Sequence, residues 1–152
     1  MGVFCVKAFV LVFLLLFSGA SFADVENVVG RWKTIDDETK KPKSIVEIFK
    51  RGEEFRGRIV QLINPDKPNP VCDKCEGDRK DKPVMGMEII WGMKKDGDQW
   101  ESGKILDPNN GKEYKCRLRL KDNGQKLEVR GFIGFSLLGR SQLWERMTEE
   151  VQ

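Results

Sequence analysis

The chain has 152 residues, 39% hydrophobic and 34% charged, with 15 Gly, four Cys, four Trp, no His and a formal net charge of +3. That length suits one domain; the charge content excludes a multi-span membrane protein, and the apolar and Trp content excludes a disordered chain. Without His there is no Ser-His-Asp triad, Cys-His pair, His-ligated metal or imidazole pH switch, and so balanced a charge lacks the concentrated basic surface of a nucleic-acid binder.

Residues 1–23 carry one charge, Lys7, followed by an apolar run from Ala8 to Phe17 and then Ser18-Gly19-Ala20-Ser21-Phe22-Ala23. A basic start, about ten apolar residues and a small-x-small ending predict a secretory signal peptide cleaved after Ala23. The run is short for the ~20 residues of a membrane span. Cys5 precedes it, whereas lipidation would need a Cys at the cleavage site. Cleavage leaves one domain, residues 24–152, with Cys72, Cys75 and Cys116. Export would place these in an oxidising compartment, where disulfides persist.

Residues 24–29 predict a short helical turn packed by Val25, Val28 and Val29. Strands follow at residues 30–34, 44–50 and 54–63, rich in Ile, Val and Phe and separated by a polar turn and by Arg51-Gly52-Glu53. Residues 64–83 hold four of the six Pro and two Cys, and predict a long loop of the kind that is stapled or functional. Strand signals resume at residues 86–93, where Met87, Ile89, Trp91 and Met93 alternate with their neighbours. Residues 99–106, 114–121, 126–132 and 138–147 complete the series, joined by turns such as Asp96-Gly97, Asn110-Gly111 and Asn123-Gly124. Eight strands joined mostly by hairpin-length links predict an all-β, eight-stranded, antiparallel up-and-down barrel, which removes exposed edges and holds one small ligand. A β-sandwich is the competing fold.

Gly30-x-Trp32 at the head of the first strand resembles the motif that closes one barrel end in the lipocalins and the wider calycin group. A longer series follows: Pro83-Val84-Met85-Gly86-Met87, Ile89-Ile90-Trp91-Gly92-Met93, Trp100-x-x-Gly103-Lys104-Ile105-x-Asp107-Pro108-x-x-Gly111-Lys112-x-Tyr114, Leu127-x-Val129-Arg130-Gly131-Phe132-Ile133-Gly134 and Leu138-Gly139-Arg140-Ser141-Gln142-Leu143-Trp144. This series resembles the exported bacterial family catalogued as "domain of unknown function 2147". The resemblance spans roughly residues 29–147. It implies a lipocalin-like barrel in the periplasm of a Gram-negative bacterium or secreted from it, and no established activity.

Arg140, Gln142, Trp144 and Arg146 share one face of the last strand. An antiparallel first strand would bring Arg146 across Trp32 as a cation–π lid, closing the barrel with Gly30 and Trp32. Arg130 and Arg140 are either structural or inward-facing partners for a carboxylate. With the apolar face of Met87, Ile89 and Trp91, and with Tyr114 and Leu118, they form the candidate ligand-binding set. In-strand Gly57, Gly103 and Gly131 each remove a side chain from the wall, which favours a hollow interior.

Cys72-Asp73-Lys74-Cys75 reads as a disulfide staple. Thiol–disulfide exchange, a zinc site or a bridge to Cys116 compete with it, but no helix follows the first Cys and four metal ligands are lacking. Cys116, in phase with Tyr114, Leu118 and Leu120, reads as a buried free thiol. No carboxylate pair has a spacing suited to general acid–base work. The expectation is a non-enzymatic exported barrel, without metal or cofactor, that binds an apolar or amphipathic ligand such as a fatty acid. The alternative is a structural or interaction module of the cell envelope that meets its partners through residues 64–83, without a ligand. No nucleic-acid partner and no membrane span after cleavage are expected.

Overall fold

A computed structural model describes residues 27–148. The expected signal peptide, its cleavage site and Asp24 to Glu26 of the expected helical turn lie outside the described residues. Asn27 to Val29 form no helix and enter the first strand directly. Eight antiparallel strands follow: β1 (Gly30–Ile35), β2 (Pro42–Arg51), β3 (Glu54–Leu62), β4 (Glu88–Asp96), β5 (Gln99–Asp107), β6 (Lys112–Lys121), β7 (Lys126–Phe132) and β8 (Gly139–Arg146). Each pairs with the next and β8 returns to β1, closing an up-and-down barrel rather than a sandwich. One 3-10 turn, Gly77–Arg79, lies in the long β3–β4 connection.

Period-2 patterning fills the interior. Trp32, Val46, Ile48, Ile59, Leu118, Leu127, Val129 and Trp144 occupy facing register positions and are all buried. Phe55 and Trp100 meet edge to face with centroids 5.9 Å apart.

Strand β4 departs from simple alternation. Gly92 takes φ +69°, and the β3–β4 register shifts between Phe55 and Gly57. An extra residue in the ladder reverses the phase of the side chains beyond it. Ile90 and Met93, three apart, therefore both face inward and are fully buried. The expected inward face of Met87, Ile89 and Trp91 is corrected accordingly: these residues lie outside the wall, beneath the β3–β4 connection. There Ile89 and Met87 bury with Cys72, Cys75, Val84 and Leu106 as a second apolar layer, and Trp91 is half-buried.

Gly103 and Gly57 do not hollow the barrel, whereas Gly131 leaves room for a Cβ in ordinary contact with Tyr114 and Ile105. A Cβ at Gly103 would lie 2.3 Å from Met93 Sδ and 2.5 Å from the Trp91 carbonyl oxygen. At Gly57 it would meet Ile90 and Val46 at 3.2–3.3 Å. Both glycines are vacated so that a neighbour can fill the space, which keeps the core at interior density.

The closed end is tied by Trp32 and Arg146. The Arg146 guanidinium lies 4.2 Å from the Trp32 ring centroid. It donates to the carbonyls of Gly124 (2.6 Å), Asn27 (2.7 Å) and Val29 (3.2 Å). The Trp32 indole N–H donates to Val28 O at 2.9 Å. In a cycle of Trp32→Leu, Arg146→Met and the double variant, denaturant unfolding is expected to give a coupling of about 0.5–2 kcal/mol. Additive effects would mean the stacked contact contributes nothing.

Candidate functional site

The end opposite Trp32 carries the long connections and is the mouth. The β1–β8 ladder pairs Trp32 with Arg146 and Lys33 with Glu145. Toward the mouth β8 continues to pair with β7, as in Gln142 with Val129 and Arg140 with Gly131. Thr34 and Ile35 pair with β2. The seam between first and last strands is therefore joined there by side chains.

Asp37, from the β1–β2 turn, spans it. Arg140 donates to Asp37 Oδ2, and Gln142 Nε2 donates to the same oxygen at 2.7 Å. Trp144 Nε1 donates to Gln142 Oε1 at 3.1 Å, so the polar string runs from the buried core to the rim. Arg140 is 67% exposed, leaving most of its five N–H donors to solvent. In the β1–β2 ladder toward the same end, the hydroxyls of Thr34 and Ser44, the buried polar residues among those described, meet at 2.8 Å. Half-buried Leu62, Ile105 and Tyr114 share the inward face near this end. The Tyr114 hydroxyl accepts from Asn110 Nδ2 at 3.1 Å. The mouth end thus carries one exposed guanidinium and three half-buried, inward-facing side chains, residue types suited to an anionic head and a short apolar stretch.

Among the expected ligand-binding residues, Arg140 and Tyr114 are at this mouth. Leu118 is fully buried at mid-barrel, where it packs rather than receives. Arg130 faces outward: its Nε and Nη2 donate to Ser136 O at 2.9 and 2.6 Å, and its Nη1 to Ser141 Oγ at 3.0 Å. It braces the β7–β8 connection from the outer face and does not point into the mouth. Trp91 on the outer wall carries the Arg79 guanidinium 4.2 Å from its ring centroid. Arg79 also pairs with Glu113 at 3.1 Å, and Glu113 with Lys104 at 3.3 Å. Asp37 and Gln142 were not expected in the site. Gln142 had a signal in its shared phase with Arg140; a turn Asp next to another Asp has none.

Cys72 and Cys75 are bridged and buried, and Cys116 is a buried free thiol. The staple seats against the β5–β6 turn. Cys72 Sγ lies 3.4 Å from Pro108 O, and a Cβ at Gly111 (φ +70°) would lie 1.9 Å from Lys74 O. Only a glycine fits there. A surface hollow of about 350 Å³ opens beside this contact, lined in part by Cys75, Arg79, Glu113 and Ile133. Another, of about 360 Å³, lies at the closed end between Lys50, Lys94 and Lys95. Among the described residues no cluster has the makings of a metal site, and no helix is long and apolar enough to cross a membrane.

The family model described as "Uncharacterized protein conserved in bacteria (DUF2147)" matches residues 30–146. No curated protein matches. Among solved structures, the chain is similar to protein HP1028 of the human pathogen Helicobacter pylori, which belongs to the lipocalin family. The TM-score is 0.72 at 19% identity, covering 82% of this chain and 85% of that one. At that identity the likeness is one of fold.

Two outcomes follow from this geometry. Thiol labelling is expected to find no reactive group in the native protein and one after denaturation without reductant, because burial pushes the Cys116 thiol up to about 12. Native reaction of the Cys72–Cys75 pair would refute the staple. Asp36, in the mouth turn beside Asp37, accepts from the Thr39 N–H at 2.8 Å and from the Thr39 hydroxyl at 2.9 Å. These bonds, the backbone one first, lower its carboxyl from 3.8 to about 2. A depressed folded value means the turn is stabilised above the unfolded carboxylate range and loosens as pH falls toward about 2. The Thr39 amide resonance should titrate with that low midpoint; a midpoint at the ordinary carboxylate value would refute the assignment.

Proposed function

We propose, from the premise that this chain belongs to the bacterial DUF2147 family and folds as a lipocalin-like barrel, that it is an exported, non-enzymatic binder of an apolar or amphipathic ligand such as a fatty acid. The observation that carries this is the mouth. Arg140 is largely exposed on the inward-facing register of β8, anchored on one side by Asp37, at the same barrel end as half-buried Leu62, Ile105 and Tyr114. A carboxylate would take the remaining guanidinium donors, and the first part of its chain would lie along that wall. Deeper entry is opposed by fully buried Trp32, Met93, Leu118 and Trp100, so the ligand sits shallow and binds modestly.

Export is part of the same reading. It is supported by the basic, apolar and small-residue succession of residues 1–23 and by the buried Cys72–Cys75 bridge, which persists in an oxidising compartment such as the periplasm or outside the cell.

The solid lower barrel supports a second reading, an envelope interaction module with no ligand. The two are separated by measurement. Protein purified from its exporting host should carry a lipid-sized mass in native mass spectrometry and begin at Asp24. Added palmitate should raise its thermal midpoint, and Arg140→Ala should weaken palmitate binding about tenfold, the scale of a hydrogen bond to a charged group. A species retaining Lys7 and Cys5 would overturn export. Absence of both the co-purifying mass and the palmitate response would overturn the ligand and favour the interaction module.

A further inference from the structure

The β7–β8 connection is an apolar tip on a strongly charged protein. Ile133, Phe135, Leu137 and Leu138 are 66%, 81%, 89% and 75% exposed. No acidic residue occurs from Val129 to Trp144, and Arg130 and Arg140 flank the tip, in a chain that is 34% charged. The tip is also built rather than slack. Arg130 holds Ser136 O with two N–H groups, Leu138 N–H donates to Phe135 O at 3.1 Å, and Gly134 takes φ +68°. A turn fixed in this way keeps its four apolar side chains out of the barrel and in water, where they are costly.

We propose that this tip docks on a lipid surface bearing anionic headgroups, with Phe135, Leu137 and Leu138 entering the interface and the two arginines meeting phosphates. Area and charge select that occupant. Four largely exposed side chains at the end of one hairpin make an apolar patch of about 300–600 Å², the size of the largest patch on a typical monomer, which is often functional. That is less than the ~800 Å² per partner that a stable protein interface buries. A bilayer needs no complementary pocket, so a small convex apolar tip suffices for weak, reversible binding. The stretch, acid-free along the sequence, complements a negative headgroup layer, whose phosphates take the N–H groups that Arg130 and Arg140 leave free beside Ser136, Ser141 and Asp37. Because β7 ends and β8 begins at the mouth, docking would hold Arg140 and the mouth at the headgroup level, where an acyl ligand enters or leaves. That consequence, unlike the docking itself, rests on the ligand reading above.

The test is co-sedimentation of the purified protein with vesicles of phosphatidylethanolamine plus phosphatidylglycerol, and with vesicles of phosphatidylcholine alone. Binding to the anionic vesicles is expected, weaker on phosphatidylcholine and weakened by salt. The double variant Phe135→Ser, Leu137→Ser should lose about tenfold or more in partitioning, the scale of removing two inserted apolar side chains. Its thermal midpoint should be unchanged, since neither side chain packs in the fold, and it should keep the palmitate response of the parent protein. No partitioning by the parent protein, or equal partitioning by the variant, would overturn docking whatever palmitate does. Concentration-dependent dimerisation abolished by the same variant would assign the tip to a second copy and also overturn it. Docking with neither a palmitate response nor a co-purifying lipid mass would uphold this proposal and overturn the ligand reading.

Discussion

The barrel depends on the seam where its last strand meets its first. Seven of its eight strand pairings join sequence neighbours through local connections, and the eighth must bring β8 back across the whole chain to β1. That return has a short ladder, Trp32 with Arg146 and Lys33 with Glu145, reinforced by a Lys33–Glu145 ion pair at 2.7 Å. The heavier share falls on the Trp32–Arg146 contact and on the three carbonyls that Arg146 gathers from Asn27, Val29 and Gly124. No carboxylate is needed: the guanidinium satisfies otherwise open backbone carbonyls while its flat face covers the indole. Burial lowers its pKa from the ordinary value, but an arginine stays charged throughout the physiological range.

Because the ladder is short, the two ends of the barrel differ. Near Trp32 the interior is closed by aromatic packing. Toward the mouth Asp37 reaches across from the β1–β2 turn to Arg140 and Gln142. Side-chain bonds of this kind exchange with solvent or with another anion far more readily than a backbone ladder opens. The same strand therefore supplies the rigid closure through Arg146 and the exchangeable one through Arg140, six residues apart and in one phase. A carboxylate-bearing ligand would take the Arg140 donors that Asp37 leaves free, without disturbing the seam below.

Strand number, order and closure were legible because each strand is short, alternates cleanly and ends at a Gly-containing turn. The Trp32–Arg146 contact was legible too, since the pairing of first and last strands and the phase of residues 140–146 place them together. The orientation of β4 was not. Met87, Ile89, Trp91 and Met93 alternate well, yet the bulge at Gly92 and the tight crossing at Gly103 put Met93 inside and Trp91 outside. A glycine in a strand pattern signals either a hollow or a close approach, and period alone cannot choose between them. The outer apolar layer under Cys72 and Cys75 also made outward residues look like core. The site was legible in part: Arg140 and Tyr114 stand at the mouth, but Asp37 lies in a polar turn that sequence alone assigns to solvation.

The charge state of the mouth bears on how a bound molecule could leave. The chain has no His, and so lacks the side chain whose unperturbed charge changes between about pH 5 and 8. Its free thiol is pushed up to about 12 by burial, well outside that interval. The Asp36 turn that flanks Asp37 keeps its carboxylate down to about 2. Neither group, therefore, switches the mouth at ordinary pH. Release would have to come from competition at Arg140 or from a change of surroundings. The β7–β8 tip supplies the second route by geometry: it begins where β7 ends and leads into β8 directly before Arg140. Anionic headgroups brought beside that guanidinium by a docked tip would compete with Asp37 for it.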